Sequence, residues 1–216
     1  MVIVIGSTKG GSGKTTLATN LAAIDVCRGN DVLLVDTDKQ GSASNWGAVR
    51  EEADVPRVPV MQKFGGLSLT RELKALKGKY KRVWVDAGGY DSESLRSSIL
   101  MADKIITPLR PSQLDVWDLP RIIEIIAQSQ MYNPSLQVLF VPNGLHTSPS
   151  VKQIDDVLAL AEEVEGMQFS KSVIHNRLAF SKASGMGLSV VELQSRERDV
   201  KAVAEITALY EEITNA

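Results

Sequence analysis

The chain has 216 residues, 44% of them hydrophobic and 23% charged, with a formal net charge of −2, which fits one globular domain with a sizeable core and excludes a generally basic, nucleic-acid-coating protein. Cys27 stands alone, which excludes an internal disulfide and any site built on a cysteine pair, and its place in the first helix predicts a core thiol. No apolar run approaches the ~20 residues of a membrane span and no secretory leader precedes the first strand, so the expected location is cytoplasmic.

In chain order, Val2-Ile3-Val4-Ile5 predicts a buried strand and the segment from Thr15 to Arg28 a helix stopped by Gly29. Between them lies Lys9-Gly10-Gly11-Ser12-Gly13-Lys14-Thr15-Thr16. Strand, glycine-rich loop and helix make a phosphate cradle: curled backbone N–H groups and the helix N-terminus face the anion. Lys14 would reach the β- and γ-phosphates and the Thr15 hydroxyl would ligate Mg²⁺. The strict G-x-x-x-x-G-K-[ST] pattern fails, because Thr8 stands at its first glycine and a second lysine, Lys9, follows.

The next strand, Val32–Val35, runs into Asp36-Thr37-Asp38-Lys39-Gln40-Gly41. Two carboxylates at a strand's carboxyl end beside a phosphate loop point to metal and water chemistry; capping of the next helix is the alternative. Asp54 to Pro59 reads as a surface connection. From Lys63 to Arg82 there are seven basic residues against Glu72 alone, a solvated face or one turned to DNA or a partner. A helix over Ser68–Leu76 and a strand over Val83–Val85 follow, the strand ending in Asp86-Ala87-Gly88-Gly89.

Asp91 and Ser92 are candidate N-caps for a helix to Met101. A strand over Ile105–Leu109 runs through Pro108-Leu109 into Arg110-Pro111-Ser112 and a helix over Val116–Ser129, in which Trp117 is expected in the core. Leu136–Val141 is a strand ending at Pro142-Asn143, Val151–Val164 a helix, Ser172–His175 a weaker strand and Val200–Ile213 a final helix. His146 and His175 have no ligand spacing and read as ordinary polar residues. Alternating β and α segments predict an α/β fold, a mostly parallel sheet with helices on both faces in one domain over residues 1–216, with ligand beyond the strands' carboxyl ends.

The loop variant KGGxGKT, the D-x-D-x-Q-G segment at Asp36 and the strand ending in Asp86 together resemble the deviant Walker A P-loop ATPases of the ParA/MinD superfamily, above all the small ParA-type plasmid partition ATPases. The pattern Val173-Ile-His-Asn-Arg177 followed by Gly187-Leu-Ser-Val-Val-Glu192 is similar to that family's C-terminal region. The resemblance implies ATP or ADP with Mg²⁺ in the cradle of Gly10, Gly11, Ser12, Gly13, Lys14, Thr15 and Thr16. It makes Asp38 the residue that orients or deprotonates the attacking water, and gives Asp36 and Asp86 to the Mg²⁺ hydration shell beside Thr15. The Gly88 or Gly89 amide senses the γ-phosphate, Asn143 bonds the base, and Lys9 reaches the phosphates of a second copy.

On this resemblance the ATP-bound homodimer binds DNA non-specifically through Arg177, Lys182, Arg196, Arg198 and Lys201. Hydrolysis is stimulated by a centromere-binding or cargo adaptor protein, and the protein is nucleoid-associated with no membrane partner. No helix-turn-helix extension precedes the first strand. The alternatives are a MinD-like membrane-associated ATPase and a metabolic P-loop ligase of the dethiobiotin-synthetase kind. Glu205, Glu211 and Glu212 on the last helix speak against the first, because anionic lipid would repel them.

Overall fold

A computed structural model describes residues 1–90, 92–148 and 168–215. Strands β1 (Val2–Ile5), β2 (Val32–Asp36), β3 (Val60–Gln62), β4 (Arg82–Asp86), β5 (Lys104–Leu109), β6 (Gln137–Leu145) and β7 (Ile174–His175) form one sheet in the order β3-β2-β4-β1-β5-β6-β7. All pairings are parallel. The helices are α1 (Lys14–Cys27), α2 (Ser42–Arg50), α3 (Leu67–Lys77), α4 (Glu93–Met101), α5 (Gln113–Gln130), α6 (Leu178–Gly185) and α7 (Val200–Asn215).

Helices cover both faces, so the central strands are apolar between their ends, as in Val2–Ile5, Val32–Val35 and Val83–Val85. In β1, Ile3 and Ile5 point into one core while Val2 and Val4 point into the other. The same alternation divides Leu34 from Leu33 and Trp84 from Val83, as the period of two requires. Register then builds the site: Ile5 pairs with Asp86, and Asp86 with Asp36. The three central strands therefore end level, with two carboxylates side by side where the chain leaves β1 for the loop.

Among the described residues four elements go beyond the predicted set: α2, β3, α6 and a single 3-10 turn over Ser195–Glu197. The expected helix over Val151–Val164 and the cap at Asp91 lie outside the described residues. Ser92 does cap α4, its side chain accepting from the Leu95 N–H.

Two core assignments are corrected. Trp117 is 69% exposed, because the buried face of α5 carries Leu119, Ile122 and Ile126 and Trp117 lies on its far side. Cys27 is at the surface, at the end of α1. Partial burial and the nearby Glu192 carboxylate push its thiol up to about 11, so it is a poor nucleophile.

The last helix packs on the domain through Ala202, Ile206, Leu209, Tyr210 and Ile213. Its acids face partners. Glu205 holds Arg177 and His175, Glu211 holds Arg28, and Glu212 accepts from the Lys171 and Ser172 N–H groups. Arg82 leaves the basic run for the interior, where Asp25 also takes the Trp84 indole N–H at 2.9 Å and the Tyr210 hydroxyl at 2.8 Å. Lys77 pairs with Asp103 and Lys81 bonds Asn30, which leaves Arg71 and Lys74 exposed on α3.

Candidate nucleotide site

The loop after β1 turns where Gly11 and Gly13 take φ of 75° and 93°, a region closed to most side chains. A Cβ on Gly13 would also stand 2.3 Å from Asn143 Nδ2. Lys14, 7% exposed, folds back so that its Nζ donates to the Lys9 carbonyl at 2.7 Å. Burial lowers its pKa, an effect opposed by the Asp86 and Asp38 carboxylates.

Beneath the loop the Thr15 hydroxyl donates to Asp86 Oδ2 at 2.6 Å. Burial raises Asp86 to about 7, with Asp36 and Asp38 adding to the rise and the Thr15 bond opposing it. Among the described residues, Asp86 Oδ1 and Ser12 Oγ are buried with no partner. A buried carboxylate with a bare oxygen, beside a hydroxyl and a backbone cradle, is the donor set of an ion held with phosphate. No cluster of three or more His, Cys, Asp or Glu that could hold a metal occurs among the described residues, which suits an ion whose shell is completed by phosphate oxygens and water. The residues present fit Mg²⁺ with a nucleotide.

Asp36 is fully buried, and it does the capping that the sequence left open. Its Oδ1 accepts from the Asp38 N–H at 3.0 Å, and its Oδ2 accepts from the Ser44 N–H at 2.8 Å and the Ser44 hydroxyl at 2.9 Å. Those bonds fix the loop that carries Asp38. The Asp38 carboxylate faces Gly88, whose Cβ would lie 3.4 Å from it, and Gly89 packs on Gly10 with its Cβ position 3.2 Å from the Gly10 nitrogen. Gly10, Lys14, Thr15, Asp38, Gly89 and Tyr90 thus line one cleft of about 810 Å³.

Asn143 lines a second cleft of about 440 Å³, with Ser12, Thr16, Arg110 and Asn176. Its Nδ2 donates to the Ser12 carbonyl at 2.6 Å, so it buttresses the loop. Lys9 lies in cis on Asp115, Nζ to Oδ2 at 3.4 Å, and Thr8 bonds Asp118. Sequence reasoning missed Ser44 and Tyr90, and it missed the pairing of Asp115 with Lys9. Ser44 sits at the start of a helix with no apolar period, and Asp115 meets Lys9 only across a hundred residues of chain.

The candidate DNA residues divide. Lys182, Arg196, Arg198 and Lys201 are exposed and gather round a shallow pocket of about 500 Å³. Arg177 does not join them: its side chain is 13% exposed and grips Glu205 at 2.6 Å, with Asp199 at 3.9 Å. The guanidinium is consumed in joining β7 to α7, which corrects its place on a phosphate-gripping face. His175 and His146 are ordinary polar residues, the first bonded to Glu205 and the second accepting from the Ser148 N–H.

A model of the CobQ/CobB/MinD/ParA nucleotide-binding domain matches residues 3–190. The chain is 30% identical over 215 residues to the maintenance of carboxysome distribution protein A of Halothiobacillus neapolitanus, spanning 98% of this chain and 95% of that one. It is 23% identical to protein ParA of Rhizobium radiobacter, over 100% and 98% of the two chains. Among solved structures, MinD of Aquifex aeolicus matches with a TM-score of 0.76 at 18% identity, covering 100% and 97%. An ATP complex of McdA from Cyanothece matches with a TM-score of 0.75 at 17% identity, covering 99% and 96%. The cradle, the paired carboxylates at the level strand ends and the matched length agree, and the chain belongs to the CobQ/CobB/MinD/ParA family of nucleotide-binding domains.

Proposed function

We propose that the protein is a Mg²⁺-dependent ATPase that distributes a cargo over a DNA surface. Its ATP-bound form pairs two copies and binds duplex DNA without sequence preference, and a cargo-bound adaptor stimulates hydrolysis and release. The observation that carries this reading is the convergence of Lys14, the Thr15–Asp86 pair and Asp38 on one cleft, with a separate exposed cluster of four cations. Relatives named for maintenance of carboxysome distribution support a carboxysome or a similar body as the cargo. The last helix, α7, spends its apolar face on the core, which favours DNA over lipid as the surface.

Thr15 and Asp86 would hold the ion, with Asp36 fixing the neighbouring loop. When bound, the ion neutralises charge on the phosphate oxygens. Lys14 leaves the Lys9 carbonyl for phosphate, the loop N–H groups and the Gly89 amide bind phosphate oxygens, and Asp38 holds the attacking water in line. Holding that water is sufficient, because positioning and electrostatics supply most of the acceleration in phosphoryl transfer. Lys9 must release Asp115 before it can serve a second copy's phosphates.

Binding to random-sequence duplex DNA with ATP, ADP or no nucleotide, across a salt series, tests the proposal. Tight binding with ATP alone, weakening as salt rises, is expected. An ATP dimer that binds no DNA in any state overturns it.

A further inference from the structure

The Gly187–Glu192 turn has no part in the cleft described above, yet polar contacts from both α1 and α2 end on it. From α1, Asn20 Oδ1 accepts the Ser189 hydroxyl and the Val190 N–H, each at 2.9 Å, while Asn20 Nδ2 donates to the Thr16 carbonyl at 2.7 Å. The turn is therefore pinned to the helix that opens with the phosphate loop.

From α2 comes a stronger clasp. Arg50, its last residue, has a side chain 1% exposed and forks onto Glu192 at 2.8 and 2.6 Å. The same guanidinium donates to the carbonyls of Gly187 and Pro56, both at 3.0 Å, and lies over the Trp46 ring. The Trp46 indole donates to the Leu188 carbonyl at 3.2 Å. There is no slack: a Cβ on Gly187 would sit 2.4 Å from the Arg50 nitrogen.

We propose that Arg50, clasped to Glu192, is the joint through which nucleotide state sets the affinity of the Lys182–Lys201 surface for a polyanion. The N-terminal end of α2 is tied to Asp36 through Ser44, next to Asp38. Nine helical residues, about 13 Å long, carry any shift of the Asp38 loop to Arg50. The turn that receives it leads back into α6, which carries Lys182, and onward to Arg196 and Arg198. Close-packed contacts of this kind pass on displacement rather than absorb it. One end of the lever is fastened to the γ-phosphate side of the cleft, the other to the segment that presents the cations. Arg50 touches neither nucleotide nor polyanion in this arrangement and is a positioning residue. By linkage, DNA must tighten ATP by the same factor that ATP tightens DNA.

The inference rests on the proposed DNA reading for its ligand but not for its motion, and Cys27 separates the two. The chain's sole cysteine lies at the surface with its Sγ 3.4 Å from Glu192 Oε1, so its rate of reaction with a small thiol reagent reports on the clasp without DNA. In the wild type that rate should differ at least about threefold between ADP and ATP. Arg50→Lys keeps the charge and loses the fork, Glu192→Gln keeps the shape and loses the charge, and Trp46→Phe removes only the Leu188 bond. In folded Arg50→Lys and Glu192→Gln, ATP affinity should stay within about threefold while the ratio of DNA affinities in ATP and ADP falls at least tenfold. Trp46→Phe, the mildest change, should lower that ratio less and serves if the others fail to fold.

A wild-type Cys27 rate that ignores nucleotide, or variants that keep the full affinity ratio, overturns the joint while leaving DNA binding intact. A nucleotide-dependent Cys27 rate that the Arg50 and Glu192 variants abolish, in a protein that binds no DNA, upholds the joint and overturns the DNA reading.

Discussion

Replacing Asp86 by Asn should stabilise the nucleotide-free protein, although the residue stands at the centre of the site. Folding raises its carboxyl from an ordinary 3.8 to about 7, mainly by burial. Between those values the folded chain holds a proton that the unfolded chain has lost. Stability therefore falls as pH rises through this window, and the full penalty is present above pH 7. Three pKa units correspond to a ceiling of about 4 kcal/mol, which the relaxation implicit in an effective dielectric near 20 should cut to about 2 kcal/mol. Asn still accepts from Thr15, and its NH₂ takes the place of the protonated acid's O–H, so the two proteins should be alike near pH 4. Urea unfolding at pH 4.5 and pH 8 measures the difference. The Asn variant should gain about 2 kcal/mol at pH 8, about 4–8 °C in Tm for a chain of this size, and about a quarter of that at pH 4.5. Adding Mg²⁺ and ATP should reverse the order, stabilising the wild type alone. An Asn variant that is less stable at both pH values would refute the account of Asp86 as a buried charge awaiting a cation.

Asp38→Ala should retain ATP and form the ATP dimer while its hydrolysis rate drops about 10²- to 10⁴-fold; normal turnover of labelled ATP would send the water-holding role elsewhere. Lys9→Ala should bind nucleotide as a monomer within about threefold of wild type yet give no ATP-dependent dimer by light scattering, and a dimer in that variant would count against action in trans. Each of Lys182→Ala, Arg196→Ala, Arg198→Ala and Lys201→Ala should lower the slope of DNA affinity against salt by about 1, if its cation contacts a phosphate. Arg177→Ala should instead strip Glu205 of its cationic partner, leaving only His175, and cost about 1–3 kcal/mol of stability, and a change confined to DNA binding would restore it to the DNA surface.

The phosphate loop, the two strand-end carboxylates and the sheet were legible because each signal is local. An apolar run, a glycine cluster and a lysine-threonine pair can be read within twenty residues. The second helix, α2, was not legible: Ser42–Arg50 has no apolar stripe and carries Gly47 in its interior. That glycine is explained only by tertiary packing, since a Cβ there would stand 2.5 Å from Val60 Cγ2. Strand β3 was hidden by its length of three residues. Trp117 is a different case, for the spacing of Leu119, Ile122 and Ile126 already placed it on the opposite side of α5. Arg177 looked like a free cation because Glu205, 28 positions away, becomes its partner only when β7 meets α7. Charge counted along a chain says little about which cations remain free.

The sheet ends at β3 with three residues and at β7 with two. A chain adding itself to either border would gain two or three ladder bonds, about 1–4 kcal/mol at the usual net worth of such bonds, against an association cost of about 4–15 kcal/mol. Growth by strand addition, the commonest route from a large sheet to a fibre, is closed at both margins. Copies that pair as proposed, across the nucleotide side, would do so through side chains. An assembly made that way is as reversible as the nucleotide bound there, a property that the proposed carrier needs if it is to let go.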